Sequence, residues 1–255
     1  MSLLKNEMIV KQVQNALQIL EFFADRRSPA TLSEIADHFG WPRSSTFNLI
    51  ETLTKMGFLY EPKYRAGYYP THRLVTLGQA IVADGPLSDD LRRMVVNLAR
   101  KTSETAVLAA LSGLSAVFLE VVESSSPIRY FAHVGQRVPL HATSAGRALL
   151  SMVSPKERAA ILRKSEYVRF APEALMTPEE VEDEIAASIE RGWFINNNGY
   201  SPDLLGIAIP LPLKDRQFCL MVAGPAYRTV DRVPDLVAAI RAEIDDYMAT
   251  AALHR

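Results

Sequence analysis

Between Thr31 and Gly57 the chain carries two short apolar-faced segments separated only by Gly40, Trp41 and Pro42, and this spacing restricts the fold more than any other feature. Thr31 with Glu34 three residues on makes a capping-box pattern. Leu32, Ile35, Ala36 and Phe39 then fall on one face of a helix that Gly40 ends. Pro42 suits the first turn of the next helix, whose inward face is Thr46, Leu49, Ile50, Leu53 and Met56, with Gly57 placed to cap its end. Ahead of both, Val13, Leu17, Leu20 and Ala24, widened by Ile19 and Phe23, predict an amphipathic helix over 7–24. Behind them, 58–61 and 68–70 read as strands flanking a polar loop, 62–67, that holds Lys63 and Arg65. Three helices followed by a basic-tipped hairpin predict an N-terminal all-α winged helix-turn-helix.

Once its core face is assigned, the third helix leaves Arg43, Ser44, Ser45, Phe47, Asn48 and Glu51 pointing outward. In this motif the third helix enters the major groove of double-stranded DNA with its N-terminal residues at base edges, where hydroxyls and Asn can hydrogen-bond. A wing carrying Lys63 and Arg65 would meet the flanking phosphates. The candidate DNA-binding residues are therefore Arg43, Ser44, Ser45, Phe47, Asn48, Lys63 and Arg65. A small helical domain docking on protein, with the same side chains merely solvated, is the alternative.

The formal net charge of -1 does not itself point to nucleic acid, but the charge is uneven: residues 1–75 hold nine Lys/Arg against seven Asp/Glu. Arg43, Lys55, Lys63, Arg65 and Arg73 cluster against only Glu51 and Glu61. The single cysteine, Cys219, excludes an internal disulfide and any multi-cysteine metal site, which suits a reducing cytoplasm. The N-terminal segment has charges within its short apolar region, and no window of about 18 uninterrupted apolar residues occurs, so neither export nor membrane insertion is expected.

Residues 74–82 have helical periodicity and run into Gly85 and Pro86, which predicts a linker helix over 74–86 between domains at 1–73 and 87–255. Leu74, Leu77, Ile81 and Val82 give it an apolar stripe suited to a second copy, and dimerisation is expected because one helix-turn-helix covers only one half-site. The remainder predicts a helix over 88–101 and antiparallel strands at 105–111, 116–122 and 128–132. Helices at 144–153, 155–163 and 178–191 follow, then strands at 193–196, 205–211 and 218–223, and a closing helix over 233–251. Elements grouped in this way predict an α+β domain with an antiparallel sheet.

Ser144, Ala145 and Gly146 open a predicted helix whose N-terminal N–H groups could receive an anion, or could simply cap it and pack closely. Asn196 to Tyr200 is a turn-forming run whose amides donate and accept. Catalysis has little support: His141 lies three residues before Ser144, but no Gly-x-Ser-x-Gly elbow, paired motif carboxylates or phosphate-cradling glycine loop accompany them. An enzyme that uses His141 and Ser144, fused to a helical adaptor, is the runner-up reading. His133 and His141 could approach one another, yet metal-ligand spacing is lacking, and no cofactor is expected.

The order of these residues resembles the IclR family of transcriptional regulators over nearly the whole chain. Trp-Pro-Arg-Ser-Ser-Thr-Phe-Asn-Leu-Ile-Glu-Thr-Leu at 41–53 is similar to the family's recognition helix. His-Val-Gly-Gln-Arg-Val-Pro-Leu-His-Ala-Thr-Ser-Ala-Gly-Arg-Ala-Leu-Leu-Ser at 133–151 is close to its Gly-x-x-x-Pro-Leu-x-Ala-x-x-x-Gly-Lys-Ala-x-Leu-Ala signature. Arg-Gly-Trp-Phe at 191–194, Ala-Ile-Pro at 208–210 and Ala-Gly-Pro-Ala-Tyr-Arg at 223–228 also fall in order. The resemblance implies a GAF-like effector domain, an operator-binding regulator that is no enzyme, and dimers or dimers of dimers. It also implies a small organic-acid-like effector bound among Tyr130, Ser144, Ala145, Gly146, Asn196, Leu204, Gly206, Met221 and Ala223. This chain departs from the family at Ser45 and Asn48, where Thr and Arg are usual, and at Asn196, Met221 and Ala223. Its pocket is thereby less polar and suited to aromatic or medium-chain acids.

Overall fold

A computed structural model describes residues 9–63, 66–83, 87–213 and 216–253. The chain separates into two compact units, 1–86 and 87–255.

In the first unit, α1 (Lys11–Arg26), α2 (Leu32–Phe39) and α3 (Arg43–Lys55) precede a two-stranded hairpin, β1 (Leu59–Tyr60) and β2 (Tyr69–Pro70), and then α4 (Arg73–Ala83). The capping box forms at α2. Thr31 Oγ1 accepts from the Glu34 N–H, and Glu34 Oε2 accepts from the Thr31 N–H at 2.8 Å. Gly40 closes α2 in the left-handed region (φ 65°), and Pro42 serves as the N-cap of α3. Ile19, Phe22, Phe23, Ile35, Ile50, Leu53 and Leu59 make the core. The buried Thr46 sits among them because its hydroxyl donates to the Pro42 carbonyl at 3.1 Å. The hairpin is tied to the helices by a bridge between Ala30 and Tyr68, next to Gly67. A Cβ on Gly67 would lie 2.5 Å from the Ala30 carbonyl carbon, and its φ of +94° independently favours glycine.

Inward assignments on two helices are corrected. Val13 and Leu17 are 59% and 56% exposed, and Met56, expected on the core face of α3, is 53% exposed. The buried face of α1 is instead Ile19, Phe22 and Phe23. Only the C-terminal half of α1 lies over the core, so the stripe along its first turns has nothing among the described residues to cover it.

The second unit begins with α5 (Asp89–Thr102), β3 (Thr105–Ser112), β4 (Ser115–Val122) and β5 (Arg137–Pro139). Next come α6 (Ser144–Leu150), α7 (Pro155–Lys164) and α8 (Pro178–Arg191). Strands β6 (Phe194–Asn197), β7 (Leu204–Leu213) and β8 (Arg216–Pro225) follow, then α9 (Ala226–Thr229), a 3-10 turn and α10 (Val233–Leu253). The six strands form one antiparallel sheet in the order β5-β4-β3-β8-β7-β6. Alternation along the central strands supplies two cores. Val107, Ala109, Cys219, Met221 and Ala223 face α6 and α8, while Ala106, Leu108, Leu220 and Val222 face α5 and α10.

The strand expected at 128–132 does not form. Ala132 is buried while Ile128, which would share its face in a strand, is exposed, so the two-residue alternation of a strand is absent here as well as the ladder. Side chains satisfy this backbone instead: Thr105 donates to the Tyr130 carbonyl at 2.7 Å and Arg228 to the Ile128 carbonyl at 2.8 Å. The place beside β4 is taken by β5, through pairs such as Ala116 with Val138.

Candidate DNA-binding face and ligand cavity

Burying Thr46, Ile50 and Leu53 turns Arg43, Ser44, Ser45, Phe47 and Asn48 of α3 to the surface, and all five are exposed. Among the described residues nothing hydrogen-bonds the Ser44, Ser45 or Asn48 side chain, so their donors and acceptors are available to a partner. Glu51 is held by Lys55 one turn on, at 2.8 Å. Ser45, Asn48 and Thr52 also line a groove with Lys11, Gln12 and Asn15 of α1, which places the two sides of α3 in different settings. Lys63 is exposed near the hairpin tip; Arg65 lies outside the described residues.

In the second unit, the sheet and the start of α6 enclose a cavity lined by Phe118, Tyr130, Thr143, Ser144, Asn196, Tyr200, Leu204, Gly206, Met221 and Ala223. Seven of the nine residues assigned to this site from sequence, Tyr130, Ser144, Asn196, Leu204, Gly206, Met221 and Ala223, come together here. The other two lie behind the wall. Ala145 is fully buried, with its carbonyl 3.6 Å from the Cys219 sulfur. Gly146 lets α6 press on the preceding segment, since a Cβ there would sit 2.3 Å from the Leu140 carbonyl oxygen. Sequence reasoning missed Phe118, Thr143 and Tyr200 as lining residues. Thr143 borders the run at Ser144 and Tyr200 closes the run at 196–200, both already singled out, whereas only sheet register brings Phe118 here.

The cavity's free volume is about 20 Å³, room for about one water molecule, so a metabolite-sized ligand requires its walls to move. No charged side chain lines it. The α6 N-terminus is partly used by the protein: Thr143 Oγ1 accepts from the Gly146 N–H at 3.0 Å and donates to the Pro139 carbonyl at 2.9 Å. Asn196, in the orientation that satisfies its amide, donates to the Ala142 carbonyl at 3.0 Å and accepts from the Tyr200 N–H at 3.1 Å. Its first role is thus to hold the 196–200 turn. The hydroxyls of Ser144, Tyr130 and Tyr200 remain as donors, the Tyr130 oxygen already accepting from Gln136 Nε2 at 3.4 Å. Burial pushes both phenols above their ordinary pKa, so they stay protonated donors.

Behind the cavity, Arg147 is almost wholly buried and donates to the carbonyls of His141 (2.7 Å) and Ile195 (2.6 Å), clamping α6 to β6. Burial lowers its pKa to about 10, which still leaves it charged at neutral pH. The ring of His141 lies 4.8 Å from that of Tyr167 and 6.2 Å from that of Phe170, and its Nε2 has no partner. Burial holds its pKa below the usual imidazole value. Among the described residues no hydrogen bond joins His141 to Ser144, and no group of three or more His, Cys, Asp or Glu is placed to hold a metal.

A winged helix-turn-helix and an α+β unit with a small cavity between sheet and helices together define a ligand-responsive, DNA-binding transcriptional regulator. Residues 12–62 match the IclR helix-turn-helix domain, and residues 79–246 match the bacterial transcriptional regulator IclR C-terminal domain. The chain belongs to the IclR family of transcriptional regulators. It is 26% identical to the HTH-type transcriptional regulator KipR of Bacillus subtilis, over 93% of this chain and 94% of that protein. It is 25% identical to the HTH-type transcriptional regulator XynR of Escherichia coli, over 80% and 81%. Among solved structures, Thermotoga maritima IclR superposes with a TM-score of 0.77 at 20% identity, over 95% of this chain and 99% of that one. An IclR homologue from Microbacterium hydrocarbonoxydans complexed with 4-hydroxybenzoate superposes with a TM-score of 0.68 at 22% identity, over 94% and 99%.

Proposed function

We propose that the chain binds operator DNA through Arg43, Ser44, Ser45, Phe47 and Asn48 of α3 and through Lys63 and Arg65 of the wing. In this reading, an organic-acid-like molecule seated among Tyr130, Ser144, Asn196, Leu204, Gly206, Met221 and Ala223 modulates that binding. The carrying observation is the cavity, which gathers those seven residues from widely separated segments and sets three hydroxyl donors against an apolar wall. A ligand with one acidic or phenolic head and an aromatic or medium-length apolar body suits that lining. The 4-hydroxybenzoate held by the Microbacterium relative supports an acid of this kind.

The protein acts as a regulator, not an enzyme, in the manner of its relatives, and His141 packs among aromatic rings as a structural residue. It works in the cytoplasm as a dimer. The first is supported by the DNA-binding domain, whose partner lies in that compartment. The second is supported by the exposed apolar side chains of α4: Val75 46%, Leu77 44%, Ile81 65% and Val82 45%. To test the ligand assignment, melting temperature is measured with a panel of aromatic and medium-chain acids, including 4-hydroxybenzoate, alongside DNA affinity with each acid. At least one acid raises the melting temperature by mass action and shifts DNA affinity. Stabilisation only by bases or nucleotides overturns it.

A further inference from the structure

Phe47 is out of place for a solvated helix. It is 46% exposed on α3, amid the polar face made by Arg43, Ser44, Asn48 and Glu51, while Ile50 and Leu53 of the same helix are buried. No aromatic ring packs on it among the described residues, and it does not line the groove shared with α1, where the exposed Met56 lies. With Thr46 and Ile50 fixed inward, helical geometry sets Phe47 on a flank of the outward face in the first half of α3. That half is the part which reaches base edges in a helix-turn-helix.

Within the major groove each base edge offers hydrogen-bonding groups, and the one apolar feature is the 5-methyl of thymine. A half-exposed ring beside unpaired hydroxyls and an amide has one good use there. We propose that Phe47 reads thymine by packing its ring on the 5-methyl group, making that base a specificity determinant of each half-site. This rests on α3 being the DNA-reading helix. Arg43, Ser44 and Asn48 make the polar contacts around it, so Phe47 adds selectivity by desolvating a methyl and loses it where cytosine or uracil stands instead.

Full-length protein is used to enrich duplexes from a random pool, and each thymine of the best duplex is then replaced singly by deoxyuridine, which deletes only the methyl. For the unaltered protein, at least one substitution per half-site weakens binding about fourfold, the value of one buried methyl-sized group. Phe47→Ala binds the thymine and uracil duplexes alike, and Phe47→Leu keeps part of the difference. Because Phe47 is half exposed, both variants fold, which circular dichroism melting verifies. The proposal is overturned if no uracil duplex is weakened, or if the weakening persists in Phe47→Ala. It is equally overturned if Phe47→Ala alters only the mass seen by light scattering, since the ring then joins copies of the chain. Should no duplex be enriched, the DNA-reading role of α3 fails as well, which separates the two outcomes.

Discussion

Arg228 grips Glu104 with two hydrogen bonds of 2.7 Å, from Nε and Nη2 to the two carboxylate oxygens, joining residues 124 positions apart. Glu104 is 1% exposed, and Gly224 makes room for it: a Cβ there would lie 2.3 Å from Glu104 Oε2. Arg232 adds a second cation at 3.8 Å. The pair joins the start of the central strand β3 to α9, and the same guanidinium holds the Ile128 carbonyl. A buried charge deprived of its partner is expensive. Arg228→Met therefore lowers unfolding free energy by about 3 kcal/mol or more in urea denaturation, whereas Glu104→Gln with Arg228→Met recovers part of that loss. Equal losses in the single and double variants count against a coupled pair.

Gly146→Ala destabilises the second unit severely. The added Cβ meets Leu140 backbone atoms at 2.3 and 2.4 Å, and backbone on both sides cannot yield as a flexible side chain would. A loss of about 3 kcal/mol, or failure to accumulate as folded protein, is expected by urea titration. Gly206→Ala contrasts with it, because the nearest atom is the Ser144 hydroxyl at 3.0 Å, which can rotate. That variant stays folded and loses the melting-temperature response to acids by filling the cavity.

Stability falls as pH drops below about 6.5, the ordinary imidazole value, and His141 contributes to the fall. Burial depresses its folded pKa below the unfolded value, so in this window the unfolded chain binds more protons and protonation favours unfolding. The contribution is fully present above the unfolded pKa and is lost as pH falls through the folded one. His141→Gln flattens the profile below the ordinary imidazole pKa. Glu34, whose carboxylate is held below its ordinary pKa chiefly by the Thr31 N–H, acts only at lower pH, so the two effects separate. An unchanged slope in His141→Gln assigns the loss elsewhere.

On DNA, Asn48→Ala changes sequence preference, at a loss of about 1 to 3 kcal/mol on the best site, whereas Lys63→Ala weakens all duplexes alike and reduces the salt dependence. Fluorescence anisotropy on a duplex panel across a salt series distinguishes them. Uniform losses in both variants would show that Asn48 does not face bases.

Ile81→Glu converts a dimer into a monomer by light scattering at micromolar concentration, because a carboxylate replaces an apolar side chain that is 65% exposed in the single chain. Operator affinity falls with it, since two half-sites are no longer bound together. A monomeric wild-type chain with full affinity would remove the basis for the dimer.

The sequence alone determined the elements of the first unit, because its signals are local. Thr31 with Glu34, the left-handed Gly40 and Pro42 act through bonds within a few residues, so α2, the turn and α3 were readable without any partner. The same holds for Pro178 and Gly192 at the ends of α8. Which apolar stripe of α1 is buried was decided by tertiary packing, since Val13 and Leu17 share a helical period with a core they do not reach. Residues 128–132 read as a short, mostly apolar strand segment, yet a ladder needs a free neighbour, and β5 already occupies the edge of β4. At the cavity, the sequence marked runs near Ser144 and Asn196 because turns and caps advertise themselves. It could not show that Thr143 and Asn196 spend their hydrogen bonds holding the backbone, that Ala145 and Gly146 lie behind the wall, or that Phe118 lies in it. Those facts depend on sheet register and on the close approach of α6 to Leu140, which join residues far apart in the chain.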